Sequence, residues 1–379
     1  MATQSRQILD VRRFLGTRET LAYRGGGLFP VLTPAPDGAV VAVLRGGAGH
    51  LGLAGRVEIV RSLDDGATWT PPTVVADSDR DDRNPAFGTS AAGTLVLGYH
   101  RTACFDDAGL WAPHIYAGRY EEVVEVMTAR SVDGGLTWER PCPLPVPELV
   151  TGSPYGKIVA LTDGTLLMAI YQSRLAAAPA QWEDESWLVR STDDGRTWSE
   201  PTLIANGYNE TALLALPDDG VLAVLRGERG NDGLSVARSA DGGRTWGAPT
   251  RLTEPGQHPA DLVGLADGSI LLTYGNRNPP YRIEGRVSRD SGRTWLDVLL
   301  VFSGHLYGYT VTEPRPTDLG YPSSVVAGGR GVTVYYYTPS LQPAGRARVE
   351  RRGPFYEHAD YLAVAVTWSE RALLAALVG

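Results

Sequence analysis

Short apolar stretches recur along this chain with alternating polar positions, and glycine-rich turns separate them. "FPVLTPAPDGAVVAVLR" (29–45), "PAFGTSAAGTLVLGYH" (85–100), "KIVALTDGTLLMAIY" (157–171), "TALLALPDDGVLAVLR" (211–226) and "DLVGLADGSILLTYG" (261–275) each read as two strands joined by a tight turn. "YPSSVVAGGRGVTVYYY" (321–337) repeats the pattern. Between these pairs lies a second repeat, Ser-x-Asp-x-Gly-x-Thr-Trp. It reads "RSLDDGATWTPP" from Arg61, "RSVDGGLTWERP" from Arg130, "RSTDDGRTWSEP" from Arg190, "RSADGGRTWGAP" from Arg238 and "VSRDSGRTWLD" from Val287. Repeat units of about 40–50 residues built from strands and turns predict a propeller.

The predicted fold is therefore all-β, a single domain of six four-stranded blades, A to D, with each box on a C–D turn. The blades span approximately 24–76, 83–147, 153–204, 208–253, 257–302 and 320–368. The last lacks its own fourth strand, and the alternating segment 6–15 is expected to supply it and close the ring, which removes an exposed sheet edge. "SERALLAALV" predicts a short C-terminal helix. Within the boxes, Ser and Asp side chains suit bonds to turn amides. Gly66, Gly135, Gly195, Gly243 and Gly292 supply a positive φ, and each Trp supplies a large face to bury between blades. Five copies of one group do not make one asymmetric site, so the boxes read as frame.

Composition narrows the function classes. The chain has 379 residues, 45 Gly, 26 Pro and a formal charge of −8. An acidic chain without a basic stripe does not predict a nucleic-acid or membrane partner. Cys104 and Cys142 are too few for a disulfide framework. The opening "MATQSRQILDVRRFLG" has no apolar signal region, so the expected location is cytoplasmic. No His-Glu-x-x-His or cysteine cluster predicts a metal, and no cofactor is expected.

The boxes and short A–B turns occupy one face of the predicted blades, which leaves the long, varied loops on the other. Strand starts there bring Arg24, Arg83, Asn84, Tyr155, Lys157, Asn209, Glu210, His258, Asp261, Asp318 and Tyr321 toward the axis. Strand ends add Arg45, His100, Arg101, Tyr171, Arg226, Arg277 and Tyr336. Titratable groups gathered in a concavity are the signature of a site.

On these residues the chain resembles the sialidase superfamily over nearly its whole length. "GYNETALLALPDDGVLAVLRGER" matches that family's Asn-Glu pair and later arginine with Asn209, Glu210 and Arg226. "DLGYPSSVVAGGRGVTVYYY" matches the segment of its nucleophilic tyrosine at Tyr321. "YGNRNPPYRIEGRVSRDSG" matches the segment of a carboxylate-binding arginine, best at Arg282 and next at Arg277. The resemblance implies a glycoside hydrolase acting on a terminal acidic sugar. Tyr321 would attack and Glu210 would take its proton. Arg226, Arg282, Arg277, Arg45, Arg24, Tyr155, Lys157, His258, Asp261 and Asp318 would bind the carbohydrate. The chain departs from the family twice. In "YRGGGLFP" the proline register puts Leu28 where the family has arginine. "RGGAGHLGLAGR" (45–56) has no acidic residue for the family's proton donor, so His50 is the candidate there, with Asp106, Asp107 or His114 on a neighbouring loop. A polysaccharide lyase or rhamnoside-cleaving propeller using His and Tyr, and a non-catalytic glycan-binding propeller, remain alternatives.

Overall fold

The computed structural model describes residues 6–109, 111–116, 119–149, 151–175, 182–228, 233–304, 319–337 and 361–378. Two strands, β1 (Gln7–Asp10) and β2 (Arg18–Arg24), come first. The alternating segments then fold as antiparallel meanders. β3 (Leu28–Pro34), β4 (Val40–Gly46), β5 (Arg56–Ser62) and β6 (Thr73–Ala76) form one sheet in that order. β7 (Asp81–Thr89), β8 (Leu95–Thr102), β9 (Val124–Ser131) and β10 (Cys142–Pro143) join β11 (Ser153–Ala160), β12 (Leu166–Leu175), β13 (Trp182–Ser191) and β14 (Ser199–Asn206) in an eight-stranded sheet. The two halves meet through a short parallel contact, Gly156 with Ala86 and Lys157 with Phe87. β15 (Tyr208–Ala215), β16 (Val221–Gly227), β17 (Leu234–Ser239) and β18 (Thr250–Arg251) follow as a separate sheet, then β19 (Gln257–Gly264), β20 (Ile270–Asn276), β21 (Arg282–Ser288) and β22 (Val298–Val301). β23 (Leu319–Ala327), β24 (Arg330–Tyr337) and β25 (Leu362–Ser369) complete the strands, and the helix α1 (Glu370–Ala376) is capped by the Ser369 side chain.

The first strand of each meander touches the next: β3 to β7, β11, β15, β19, β23 and back to β3. The arrangement is all-β and propeller-like. Its cores lie between adjacent sheets. Val31, Val43 and Ile59 of the first sheet pack with Phe87, Leu97 and Met127 of the next.

The boxes sit between the third and fourth strands of their meanders. The serine hydroxyl accepts the glycine amide in all five, at 2.7–2.9 Å, and donates to the aspartate, as Ser62 does to Asp64 at 2.8 Å. The threonine amide closes the turn on the same carboxylate. Gly243 has φ +82°, and a Cβ there would lie 2.5 Å from Leu188 of the neighbouring sheet. Glycine is thus required by conformation and by space. Trp246, which packs on the adjoining core, donates to the Gly243 carbonyl at 3.1 Å.

One expectation is corrected. Segment 6–15 does not complete the last sheet: β1 runs parallel to β22, and β25 instead takes β2 as its antiparallel partner from Arg18–Thr367 to Arg24–Leu362. The reason is burial. Ala22 and Tyr23 of β2 enter a core with Leu32, Val334 and Ala363, whereas every β1 residue stays exposed or half-buried.

Candidate active site

Every first strand is irregular near its start. The pairing register shifts between Leu28 and Val31, Arg83 and Ala86, Tyr155 and Val159, Tyr208 and Thr211, Gln257 and Ala260, and Gly320 and Ser323. At four of these breaks the sequence is X–Pro: Phe29–Pro30, Asn84–Pro85, His258–Pro259 and Tyr321–Pro322. Proline has no amide proton, so it fits where the ladder is already interrupted, and a bulge re-aims the side chain before it. Phe29, Asn84 and Tyr321 take φ values of 53°, 50° and 49°. Such left-handed backbone costs non-glycine residues energy and concentrates at functional sites.

Three of these bulges, at Arg83–Asn84, Asn209–Glu210 and Tyr321, border a cavity of about 390 Å³. Glu210, Arg226, Arg277 and Tyr321 line one side. Arg83, Asn84, His100, Ser153 and Tyr171 line another, and His50, Leu51, Trp111, Pro113 and Tyr120 come from two long loops. The Tyr321 hydroxyl donates to Glu210 Oε1 at 2.5 Å, and Arg226 Nη1 donates to Glu210 Oε2 at 2.6 Å. Arg226 Nη1 also reaches the Tyr321 oxygen at 3.5 Å, and the Arg277 guanidinium lies 5.7 Å from the Tyr321 ring centre. Burial, then the Glu210 charge, raises the Tyr321 pKa well above the ordinary phenol value, while Arg226 and Arg277 oppose the rise. Burial works against the Arg226 charge, but Glu210 outweighs it and raises that pKa. The resting arrangement is a neutral phenol on a carboxylate that is ion-paired to arginine.

His50 reaches the cavity because the loop carrying it is tied down from behind. Arg45 is fully buried and ion-paired to Asp81 at 2.6 Å. It also donates to the carbonyls of Ala48 and Gly52, and the Gly52 amide donates to Asp81 Oδ2 at 3.1 Å. The His50 ring then meets Phe29 edge-on, with 5.0 Å between centres. His100 is fixed through Nδ1 to the Gly152 carbonyl at 2.9 Å, and burial pushes its pKa down to about 4.

The structure separates the remaining sequence candidates. Arg45 braces a loop and does not line the cavity. Arg282 is elsewhere: it donates to Glu284 at 2.7 Å and borders a groove with Asp10 and Arg12, because residues two apart on a strand share a face. Arg24 is exposed at the end of β2, outside the cavity. Lys157 and Asp261 neutralise each other at 2.9 Å, and Lys157 also donates to the carbonyls of Leu262 and Ser324. Tyr155 donates to the Ala260 carbonyl at 3.0 Å, with its ring 5.8 Å from that of Tyr321, so it supports the site from beneath. His258 is buried and does not line the cavity. Asp318 lies outside the described residues. Asp106 and Asp107 do not line the cavity either. Of the axis-facing set, Arg83, Asn84 and Tyr171 carry no specific role in the sequence and His100 only that of a base in the lyase alternative, while Trp111 and Tyr120 carry no signal beyond residue type. Among the described residues no group of three His, Cys, Asp or Glu is placed to hold a metal ion.

The BNR repeat-like domain family matches residues 38–334. No curated protein matches the chain. Among solved structures, the chain is similar to a Dyadobacter fermentans protein of unknown function, with TM-score 0.71, 22% identity, and 94% of this chain and 100% of that one covered. It is also similar to the Hadza microbial sialidase Hz136, with TM-score 0.66, 18% identity and 92% and 66% covered. Trypanosoma rangeli sialidase in complex with sialic acid matches with TM-score 0.65, 14% identity and 98% and 61% covered. The chain thus spans about two thirds or less of these two sialidase chains. At such identities the likeness is one of fold.

Proposed function

This chain belongs to the BNR repeat-like domain family, and from that premise we propose that it is a glycoside hydrolase that removes a terminal carboxylated sugar. We read the meanders as six blades around the cavity. The observation that carries the proposal is the 2.5 Å contact between Tyr321 and Glu210 in a cavity that Arg226 and Arg277 also line. Guanidiniums hold a sugar carboxylate through charge-assisted hydrogen bonds. Beside that anion a neutral phenol is a better nucleophile than a second carboxylate, since it approaches without repulsion. Tyrosine nucleophiles are the known exception of sialidases among glycosidases.

Tyr321 passes its proton to Glu210 as its oxygen bonds to the anomeric carbon. The glycosidic C–O bond breaks, and the departing oxygen takes a proton from His50. Water then attacks the anomeric carbon and loses a proton to His50. The Tyr321–carbon bond breaks, and Tyr321 recovers its proton from Glu210. His50 is assigned here because, among the described residues, Glu210 is the only carboxylic acid lining the cavity, and imidazole can give and take a proton near neutral pH.

The test is release of 4-methylumbelliferone from its N-acetylneuraminide. We expect turnover by the wild type and losses on the order of 10³-fold in Tyr321→Phe and Glu210→Gln. Undiminished release by Tyr321→Phe would overturn the mechanism. His100 favours a second reading. Its neutral imidazole suits a base that removes a proton beside a carboxylate, as in a lyase. An unsaturated product absorbing in the ultraviolet, without incorporation of solvent oxygen, would select that reading.

A further inference from the structure

Arg83 stands apart from the other two arginines of the cavity. Its side chain is 10% exposed. Nε donates to Asn84 Oδ1 at 3.3 Å, and the terminal nitrogens hold no hydrogen bond among the described residues. The nearest carboxylate, Asp81, is 4.0 Å away and already paired with Arg45 at 2.6 Å. A buried cation without a close partner is costly to keep. Arg226, by contrast, is matched by Glu210.

The Arg83 guanidinium lies 5.7 Å from the centre of the Phe29 ring, which also meets the rings of Tyr321 at 4.8 Å, His50 at 5.0 Å and Tyr336 at 5.6 Å. The cations that act most on Tyr321 are Arg226 and Arg277, whereas Arg83 acts on His100 and Tyr171. Hydrogen-bond donors surround Arg83. Asn84 Nδ2 donates to Ser153 Oγ at 2.9 Å and to Tyr171 Oη at 3.1 Å. Both hydroxyls accept from Asn84 and line the cavity, so each keeps its own proton to offer into it.

We propose that Arg83, Ser153 and Tyr171 form a second oxyanion subsite, so that the sugar carries a sulfate or phosphate ester in addition to the carboxylate held at Arg226 and Arg277. This rests on the acidic-sugar reading above and narrows it. Asn84, at its left-handed bulge, is a positioning residue that orients all three donors.

Calorimetric titration of the full chain tests this with two ligand pairs: N-acetylneuraminate against its 9-phosphate, and glucuronate against its 2-sulfate. In at least one pair the doubly charged member binds about tenfold or more tightly, as expected of charge-assisted contacts. Arg83→Gln abolishes that preference and leaves the singly charged member within about twofold, while Arg277→Gln weakens both. The pair that shows the preference identifies the ester. Equal binding within both pairs overturns the subsite alone, as does Arg83→Gln weakening the singly charged ligand equally. If none of the four ligands binds, the acidic-sugar reading falls and the subsite with it. If Arg83→Gln does not fold, the titration of His100 in the wild type decides. Its pKa, about 4 in the free protein, rises when an ester neutralises Arg83, and stays in place with a singly charged ligand if the proposal holds. No rise with either doubly charged ligand overturns it.

Discussion

Asp81 and Asp82 are adjacent and fully buried, yet only Asp81 meets a cation at close range. Asp82 accepts the Ser78 amide at 2.7 Å through Oδ2, and its Oδ1 holds no hydrogen bond among the described residues. Burial raises its pKa to about 6. The folded state therefore binds this proton more tightly than the unfolded chain. Stability from this group is full below the ordinary carboxylate pKa near 4, falls as pH rises to about 6 and is flat above. Asp82→Asn should remove a penalty on the order of 3 kcal/mol at pH 7 and almost none at pH 4. Urea unfolding of both proteins at the two pH values checks it, and a pH-independent difference would contradict it. Residue type alone does not mark a site. Tyr23, Glu58 and Arg56 repeat the Tyr–Glu–Arg trio, with Tyr23 donating to Glu58 Oε2 and Arg56 to Oε1, but none of them lines the cavity. In the sequence, Glu210, Arg226 and Tyr321 stand out through the resemblance of their two segments to sialidase segments, and the structure brings the three into contact. The resemblance ranks Arg282 before Arg277, but a segment match does not show which face of a strand a side chain takes. Arg277 follows the end of β20 at the cavity, while Arg282 is held by Glu284 on the other side.

At the scale of elements, alternation and boxes made most strands readable, because both patterns are local. The Ser239 hydroxyl accepts the buried Gly243 amide at 2.8 Å and donates to Asp241 at 2.6 Å. Ser239→Ala leaves that amide without its partner and should cost about 1–3 kcal/mol, the usual penalty for an unsatisfied buried donor. A lowered urea midpoint with unchanged KM would agree with a framing role; a changed KM at normal stability would assign the box to the site. The bulges were less readable. X–Pro at Phe29, Asn84, His258 and Tyr321 was present as a signal, but a proline within an apolar run equally marks an edge strand. Only the register shows that each interruption falls at the start of a first strand.

At the scale of the whole molecule, the sheets have to close on segments far apart in sequence, where local pattern has least to say. Segments 6–15 and 18–24 both alternate. The structure uses both, but unequally. β1 adds four residues to the open edge of β22 and leaves Ile8 58% exposed. β2 pairs along nearly all of β25 and places Ala22 and Tyr23 in the core between the last and first sheets. Losing β1 removes only peripheral contacts, while losing β2 opens a core and leaves β25 with a free hydrogen-bonding edge, a template for aggregation. A chain beginning at Val11 should therefore stay monodisperse and melt only about 2–4 °C lower, the shift expected for roughly 1 kcal/mol in a protein of this size or somewhat smaller. A chain beginning at Gly25 should aggregate or lose cooperative unfolding. Thermal unfolding with light scattering on both separates the two roles. Equal damage from the shorter deletion would make β1 the clasp. A monodisperse, cooperatively folding chain from Gly25 would mean that the ring of first strands holds without closure of the last sheet.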